Sequence, residues 1–325
     1  IGGCIFLCTT YMVENLKVHA ELAVISDDGL GSEYRISLKS DSLKDTIPEA
    51  VADKIKNMPE TENVYATKYT MGELQISKNE FLSEEEWSDY FKYQNQEPYY
   101  IQRYDGICKQ QEDGNYRIKY NVYGYDEAMI EQLRDFILEG EIQPETIKNN
   151  NQVIVTANMD GQGNYFFYGK KPGDTITLRV PKTENYTDEL LKFQSGEENY
   201  IEKEFEIAAI VNRPLAQEKD FLNTEVWKNA QSVIMTGEQM EENFGITDYS
   251  FINASPADSA DAKIVSNQLL QVIRDVPKAV LQDYTTAIAT QKGYLGQQQI
   301  FFSSIAVILL IISLFHIVNS MSHTI

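Results

Sequence analysis

The stretch that decides the organisation of this chain is IFFSSIAVILLIISLFHIV, residues 300–318. It carries no charged side chain, and its nineteen residues are enough, as an α-helix, to cross the hydrocarbon core of a bilayer. We therefore predict a transmembrane helix. The alternative is a buried helix of a soluble core, but such helices are usually shorter and carry polar residues at regular intervals.

A second uncharged run, IGGCIFLCTTYMV at residues 1–13, opens the chain, and every Asp, Glu, Lys and Arg lies between Glu14 and Lys292. The run does not begin with Met, so we expect it to be a first transmembrane helix whose upstream half is cut away. A secretory signal peptide is the alternative, but no basic segment precedes the run and no small-residue cleavage site follows it. The two spans would open onto the same side of the membrane.

The charge balance restricts the partners. Of 325 residues, 49 are acidic and 28 are basic, which gives a formal net charge of -21. Such a surface repels phosphate backbones, so the sequence excludes nucleic acid as a ligand and favours a cationic partner, such as a basic peptide, or none.

The first part of the polar region alternates strand and helix patterns. YRISLK, residues 34–39, has the period of a strand with one buried face. The following helix pattern places Thr46 and Glu49 at the spacing of a capping box. The β-rich stretch at residues 63–77 is interrupted by Gly72, which predicts a hairpin or a bulged strand.

The middle part becomes rich in strands. YDEAMIEQLRDFILEG, residues 125–140, predicts one helix with Asp126 as its cap, Gly140 as its stop and one apolar face made by Ile130, Leu133 and Ile137. Short strands are predicted on both sides of it, in YRIKYNVY, NQVIVTAN, KKPGDTITLRV and KEFEIAAIV.

The last polar part returns to the opening pattern. DYSFINAS, residues 248–255, predicts a strand, and Ser255 with Pro256 predicts the start of a helix whose Val265, Leu269 and Val272 share a face. Strand–helix patterns at both ends predict an α+β unit closed by distant parts of the chain, with the β-rich part inserted. Residues 279–299 then form a polar stalk towards the membrane.

Catalytic patterns are not found. The three histidines, His19, His316 and His323, lie in or beside the apolar ends, and no Gly-x-Ser-x-Gly elbow occurs. GKK at residues 169–171 lacks the spacing of a nucleotide-binding loop. Paired carboxylates could serve a glycosidase, but an acidic chain offers them everywhere. We predict no enzyme, no cofactor and no metal.

Three polar segments admit two interpretations each. Cys108, which has no second cysteine in the polar region, is either a small core residue or a reactive thiol. The tyrosine- and acid-rich residues 81–125 are either a groove for a cationic peptide or a solvated helix followed by cross-strand tyrosines, and we favour the latter. NMDGQGNYF, residues 158–166, resembles part of a calcium loop but lacks its terminal Glu, so we favour a tight turn.

His316 and Asn319 are polar groups in the apolar helix, where such groups usually face protein or a transport path. Both fall near the end of the helix, where interfacial water solvates them. Packing against another helix, or snorkelling, is the role we assign, and not substrate binding.

Residues 311–325, IISLFHIVNSMSHTI, resemble the second transmembrane helix of MacB/FtsX-type ABC transporter permeases, in which an apolar run passes into Ile-x-Asn-x-Met before the cytoplasmic coupling segment. IGGCIFL is similar to the first helix of that unit. Three further parts of the chain resemble landmarks of this family's extracytoplasmic core domain, and they occur in the family's order. They are VYGYDEAMIEQLRDFILEGEI, KKPGDTITL with FEIAAIV, and DYSFINASPADSADAKIVSNQLLQVI.

The resemblance implies an α+β fold, in which a Porter-like α+β subdomain carries an inserted β-rich Sabre-like subdomain between two transmembrane helices. The implied segments are a truncated first transmembrane helix with its stalk at 1–24, the first Porter-like part at 25–125, the Sabre-like subdomain at 126–220, the second Porter-like part at 221–277, a stalk at 278–299 and a truncated second transmembrane helix at 300–325.

The resemblance also implies the function: a non-catalytic permease subunit of a multi-pass membrane transporter, with its large domain outside the cytoplasm. A cytoplasmic ABC ATPase and a second permease copy or half are the implied partners. No catalytic residue is inherited. The matching motif residues are structural, namely Pro172, Gly173, Asp174 and Asn319. The alternative is the ectodomain of a membrane-anchored sensor, and a membrane-tethered enzyme comes third.

Overall fold

The computed structural model describes Leu30 and residues 32–40, 42–78, 98–159, 164–184, 186–194, 196–215 and 231–322. The first apolar run and residues 81–97 of the tyrosine- and acid-rich stretch lie outside these residues. The chain forms two compact units, Ile1–Tyr34 with Asp283–Ile325, and Arg35–Gln282.

Helices and strands are numbered in chain order along the described ranges. The helices are α1 Glu49–Lys56, α2 Pro98–Tyr104, α3 Glu127–Gln132, α4 Pro144–Asn149, α5 Gly237–Phe244, α6 Ala262–Ile273 and α7 Thr285–Ser322. The strands are β1 Tyr34–Leu38, β2 Thr61–Ile76, β3 Cys108–Gln110, β4 Tyr116–Tyr125, β5 Ile137–Gly140, β6 Gln152–Thr156, β7 Asn158–Met159, β8 Tyr165–Phe166, β9 Thr175–Pro181, β10 Tyr200–Val211, β11 Ser232–Thr236, β12 Phe251–Pro256 and β13 Ala279–Asp283.

The strands near the two ends of the polar region form one sheet, in the order β13-β1-β12-β2. With α1 between β1 and β2, and α6 between β12 and β13, this is the split strand–helix–strand arrangement of ferredoxin-like folds. Val51 and Ile55 of α1, and Val265 and Leu269 of α6, are buried. We call this part of the chain the four-stranded layer.

The strand β2 and five strands that follow it close into a ring. In this ring β2 pairs with β9, β9 with β10, β10 with β6, β6 with β11, β11 with β4, and β4 with β2 again. One face of the ring is apolar: Leu74 is opposite both Ile118 and Leu178, and all three are fully buried. Because successive side chains of a strand point to opposite faces, Glu73 and its neighbours lie on the other face. We call this part the ring.

The predicted α+β class is confirmed. The predicted closure of an α+β unit by distant parts of the chain corresponds to the antiparallel pairing of β12 with β2. Strands from the predicted segments 25–125, 126–220 and 221–277 all contribute to the ring, through β4, β10 and β11. The division of the chain into segments stays a prediction.

The predicted interruption at Gly72 is wrong. β2 runs through this position as one strand of 16 residues, and its pairing with β4 is regular from Lys68 to Ile76. The space beside Gly72 is tight: a Cβ there would lie 3.0 Å from Leu178 Cδ1 and 3.1 Å from the carbonyl oxygen of Arg179.

The predicted capping box of α1 is also wrong. No side chain caps this helix, and Thr46 Oγ1 instead donates a hydrogen bond to Asp248 Oδ2 at 2.7 Å. A partner 202 residues away, brought close by the fold, competes successfully with the local cap.

The predicted helix at residues 125–140 is only partly correct. Asp126 caps α3 by accepting a hydrogen bond from Met129 N at 2.9 Å, as predicted, but α3 ends at Gln132. A 3₁₀ turn follows, and then β5, which pairs antiparallel with β10 through Gly140 and Ala209. Gly140 is therefore a strand residue and not a helix stop.

The helix predicted to follow the DYSFINAS strand begins later than predicted. Pro256 belongs to β12, and α6 starts at Ala262 with Asp261 as its cap, accepting from Lys263 N and Ile264 N. Ile273, four residues after Leu269, is buried where the prediction named Val272. In the predicted stalk, residues 279–283 form β13.

The structure describes two of the segments for which the sequence left two interpretations open. Cys108 is buried, and burial raises the pKa of its thiol, which disfavours the reactive thiolate and leaves the core interpretation. The NMDGQGNYF segment contains the paired strands β7 and β8 on either side of residues that are not described.

The helix α7 contains the predicted membrane span. Thr285–Asn319 is the one helix in the described part of the chain that is long and apolar enough to cross a bilayer, and its most apolar window is not buried. Two serines within it bond to their own helix: Ser304 and Ser313 donate to the carbonyl oxygens of Ile300 and Leu309 at 2.7 Å.

Candidate functional site

The strand β2 connects the four-stranded layer to the ring. It pairs with β12 up to Thr67, which is opposite Phe251, and with β4 from Lys68, which is opposite Gly124. The change of partner therefore falls between Thr67 and Lys68. We call the region around this step the junction.

Lys68 is buried at the junction, against a glutamate of α5 and a tyrosine of the segment before β12. Its side chain is 4% exposed, and its Nζ lies 3.3 Å from Oε2 of Glu241, a half-exposed residue of α5. The Nζ also lies 5.5 Å from the ring centroid of Tyr249, which precedes β12, and Lys56 Nζ of α1 lies 5.6 Å from the same centroid. An ammonium at this distance is attracted by an aromatic ring.

The position of α5 beside Lys68 is fixed by its first turn and by a glycine. Thr236 accepts from Gln239 N, and the Gln239 side chain accepts from Thr236 N in return, which is a complete capping box. Below the helix, a Cβ on Gly124 would lie 2.5 Å from Met240 Sδ, so only glycine lets Met240 pack onto β4. The helix is thereby held against the ring.

A cavity of about 300 Å³ opens at the junction. Its wall contains three lysines and five carboxylates, namely Lys56, Lys68, Lys148, Glu49, Asp126, Glu127, Glu238 and Glu241. Lys148 pairs with Glu238. In the parts of the chain that the structure describes, no cluster of side chains fits a metal ion.

Burial raises the pKa of two groups in this wall. Desolvation raises the pKa of Asp126, although the backbone N–H of Met129 opposes the rise. Desolvation also raises the pKa of Tyr249, and the nearby carboxylates of Glu49 and Asp53 add to the rise. The junction therefore disfavours further negative charge.

The raised pKa of Asp126 predicts a pH effect. Its ordinary value is 3.8, and because the folded state holds the proton more tightly, its stabilising contribution is complete below that value and is lost as the pH rises through the folded pKa. Asn caps helices about as well as Asp. The quantity to follow is the difference in the free energy of unfolding between the wild type and Asp126→Asn. We expect this difference, wild type minus variant, to fall as the pH rises from about 3.5 to about 7.

Urea unfolding of the full chain in detergent, repeated at several pH values, measures this difference. Asp261→Asn is the control variant. It removes the charge of the capping residue of α6, which is exposed, so it measures the effect of losing a capping charge that is not buried. A difference for Asp126→Asn that is flat with pH, or that rises, would contradict the assignment.

A larger depression of about 570 Å³ also borders β2 at the junction. Tyr69, Thr70 and Ser250 are buried in its wall, while Thr183 and Thr247 are exposed. One bond near it joins the ring to the four-stranded layer: Ser42 Oγ donates to Asp188 Oδ1 at 3.4 Å. The size is that of many ligand sites.

A buried charge cluster lies on the outer face of the ring. Glu73 accepts from Lys119 Nζ at 2.6 Å through one oxygen and from Arg179 at 2.9 Å through the other, and all three side chains are at most 4% exposed. Desolvation lowers the pKa of Lys119, and the charge of Glu73 opposes the fall.

The loop between β9 and β10 covers this cluster. The carbonyl oxygen of Gln194 accepts from Arg179 at 3.0 Å, and the Phe193 ring centroid lies 4.1 Å from Lys119 Nζ. Arg179 stacks on Tyr200 with 3.6 Å to the ring centroid, and burial raises the pKa of Tyr200 to about 12. The charges of the cluster therefore pair with one another and with the covering loop.

The residues predicted from the family motif lie in a turn before β9 and in α7. Gly173 has a φ of +94°, and Asp174 Oδ2 accepts from Lys171 N at 2.7 Å, so with Pro172 they build a turn beside β10. Asn319 is exposed in α7, which belongs to the other compact unit. Their role as a family motif stays a prediction.

Sequence reasoning missed the junction and the charge cluster. A charged residue on a strand of alternating polar and apolar residues normally faces water. The sequence pattern around Glu73 and Arg179 therefore indicates exposed positions. Gly124, in the middle of a β-rich run, was the available signal, because glycine inside a strand often marks a close approach.

No family model and no curated protein matches the chain. Among solved structures, it is similar to the periplasmic region of MacB from Actinobacillus actinomycetemcomitans, with a TM-score of 0.44 and 9% identity, over 81% of this chain and 94% of that one. It is also similar to the extracellular domain of the noncanonic ABC-type transporter YknZ from Gram-positive bacteria, with a TM-score of 0.40 and 8% identity, over 78% of this chain and 100% of that one. Similarity of this strength does not place the chain in a family.

Proposed function

We propose that the chain is the extracytoplasmic domain, with flanking membrane segments, of an ABC transporter permease. In this role a separate ATPase supplies the energy on the cytoplasmic side, and the domain responds by changing shape to move, release or sense a substrate. The domain itself performs no chemistry. Substrates consistent with the charge of -21 are cationic, and a basic peptide is one such class.

The observation that carries the proposal is α7. Its apolar span is exposed, and the hydroxyls of Ser304 and Ser313 are satisfied within the helix, as suits a helix in lipid. In the chain it begins at Thr285, directly after β13 ends at Asp283, so the strand that closes the four-stranded layer continues into the membrane helix.

The architecture of the other unit supports a mechanical role. The four-stranded layer is closed by strands from both ends of the polar region, and the ring is inserted between them. The sequence landmarks resembling the permease family fall in this frame at β4 with α3, at β9 with β10, and at β12 with α6. A device that transmits motion needs two arrangements close in energy and no reactive side chain.

Purification from the native membrane tests the proposal. We expect an affinity-tagged full-length protein, extracted in mild detergent, to carry an ATPase subunit with a Walker A loop, and the complex to hydrolyse ATP. Leu310→Arg, in the middle of the apolar span, should lose both membrane insertion and the ATPase, because a central arginine costs about 2.5–3.5 kcal/mol. Thr290→Arg, near the polar start of α7, is the matched control and should keep both.

Two results would contradict the proposal. One is a membrane-inserted protein that carries no ATPase. The other is a kinase or similar effector bound in its place, which would make the chain the ectodomain of a sensor, with the depression of about 570 Å³ as its ligand site.

A further inference from the structure

The depression of about 570 Å³ has a wall made by four parts of the compact unit Arg35–Gln282. One part is β2, at Tyr69 and Thr70, and the other three are residues 43–46, 181–187 and 245–250. We call the last three the first, second and third wall segments. A depression that distant parts of the chain build exists only in the folded protein, and its volume lies within the range of about 300–1,000 Å³ that ligand pockets have.

Contacts between the wall segments hold the depression in its shape. Ile47, which follows the first segment, exchanges two backbone hydrogen bonds with Tyr249 of the third, at 2.7 and 2.9 Å. The second segment comes close to the third, because a Cβ on Gly245 would lie 4.0 Å from Thr183 Oγ1. Gly245 has a φ of +68°, a conformation that glycine adopts without strain. The wall is therefore part of the fold and does not depend on one loop.

The buried part of the wall offers hydroxyl groups to a ligand. Thr70 and Ser250 are each 5% exposed, and neither hydroxyl bonds to another residue within the described part of the chain. Buried polar groups are normally hydrogen-bonded, so hydroxyls that line a depression are left for water or for a ligand. A hydroxyl both donates and accepts, which suits the N–H and C=O groups of a peptide.

Apolar side chains lie beside these hydroxyls. Pro181, Tyr186 and Ile246 are buried in the wall. Burial raises the pKa of Tyr186, and the charge of Asp188 adds to the rise, so the phenol stays neutral. An apolar group that contacts these side chains is removed from water, which favours its binding. The wall therefore suits a ligand that combines an apolar group with hydrogen-bonding groups.

The charged residues of the wall favour a cation. They are Lys44 and Glu184, which are exposed, and Asp248, which is half-buried. Asp248 accepts from Thr46 through Oδ2 at 2.7 Å, which leaves its Oδ1 for an ammonium group. In the cavity of about 300 Å³, by contrast, two of the three lysines already pair with glutamates of the wall, and a cation would have to compete with them.

We propose that the depression binds a short segment of a basic peptide, in which an ammonium group lies next to an apolar side chain. The ammonium binds Asp248, the apolar side chain packs against Tyr186 and Ile246, and Thr70 and Ser250 bond to the peptide groups. The inference rests on the proposed function, because it names the class of substrate and the place where the domain would hold it.

Selection from a mixture of peptides tests this site. The probe is a mixture of hexapeptides of random order made of Leu, Phe, Ser, Lys and Glu, with both ends blocked by acetyl and amide groups. The full chain in detergent is dialysed to equilibrium against the mixture, and mass spectrometry compares the peptides on the two sides. We expect the protein side to be enriched in peptides that contain Lys next to Leu or Phe, and depleted in peptides that contain Glu.

Three variants connect the selection to the depression. Asp248→Asn removes the charge but keeps an acceptor for Thr46, and it should lower the enrichment of Lys peptides at least about tenfold, since hydrogen bonds to charged groups are the stronger ones. Thr247→Trp, at an exposed position of the wall, should fill part of the depression and lower the enrichment of every peptide. Asp261→Asn removes a carboxylate that is not in the wall and should change nothing.

Three results would overturn the site. They are a mixture from which no peptide is enriched, an enrichment that both Asp248→Asn and Thr247→Trp leave unchanged, and a preference for peptides that contain Glu. No ATPase takes part in the dialysis, so its failure leaves the transporter assignment to the co-purification experiment. A protein that carries no ATPase but enriches the Lys peptides would keep the site and lose the assignment.

Discussion

Replacing Glu73 with alanine is expected to lower the free energy of unfolding by about 3–5 kcal/mol, the usual cost of removing one partner from a buried ion pair. The Glu73 carboxylate is the common partner of Lys119 and Arg179, at 2.6 and 2.9 Å. Its removal leaves two cations on the ring under the β9–β10 loop. Water must then reach the charges of Lys119 and Arg179, which requires the loop to move away, or Lys119 must lose its proton.

Urea unfolding of the full chain in detergent, followed by circular dichroism, measures this loss. Glu131→Ala, which breaks an exposed ion pair, is the control and should cost less than about 1 kcal/mol. Replacing all three charges with Leu or Met should recover most of the loss, because apolar residues of similar volume are often tolerated in place of buried charges. A Glu73→Ala variant as stable as the control would contradict the buried cluster.

Gly140→Ala is expected to be the second severe substitution. Gly140 has a φ of +90°, and a Cβ there would lie 2.3 Å from the carbonyl oxygen of Ala208 and 2.8 Å from Ala209 Cα. Both atoms belong to the backbone of β10, so β5 would have to move away from its partner. We expect a loss of about 2–6 kcal/mol, from a strained backbone and from overpacking.

Gly173→Ala separates these two causes. Gly173 has a φ of +94°, but a Cβ there meets nothing within 4 Å. The same unfolding experiment should therefore give only the backbone contribution, about 1–3 kcal/mol. Equal losses for the two variants would mean that β5 does not pack on β10 as described.

The sequence predicted the strands and helices that local patterns define. The alternation in residues 34–39 and 116–123 corresponds to β1 and β4, but every residue of β1 is buried, so the prediction of one buried face for that strand is wrong. The cap of α3 was also predictable from a local pattern, since Asp126 and Met129 are three residues apart.

Elements decided by distant partners were not predictable. Residues 137–140 have a helical pattern, but pairing with β10 makes them a strand. Thr46 has the sequence of a cap and binds Asp248 instead. In both cases a long-range hydrogen bond competes with a local preference that is worth only about 1 kcal/mol.

The junction depends on the same kind of information. Lys68 and Glu241 are 173 residues apart, and neither position is unusual in the sequence. Only the fold, which turns β2 from the layer into the ring, brings a buried lysine to a half-exposed glutamate.

Cysteine accessibility in intact cells tests the central claim, that α7 spans a membrane and carries the acidic domain outside the cytoplasm. In protein whose Cys4 and Cys8 are replaced by serine, we expect a membrane-impermeant maleimide to label Thr175→Cys in intact cells. Val307→Cys, within the apolar span, should be labelled only after detergent denaturation. Equal labelling of both positions without detergent, or protection of Thr175→Cys until the cells are lysed, would contradict the account.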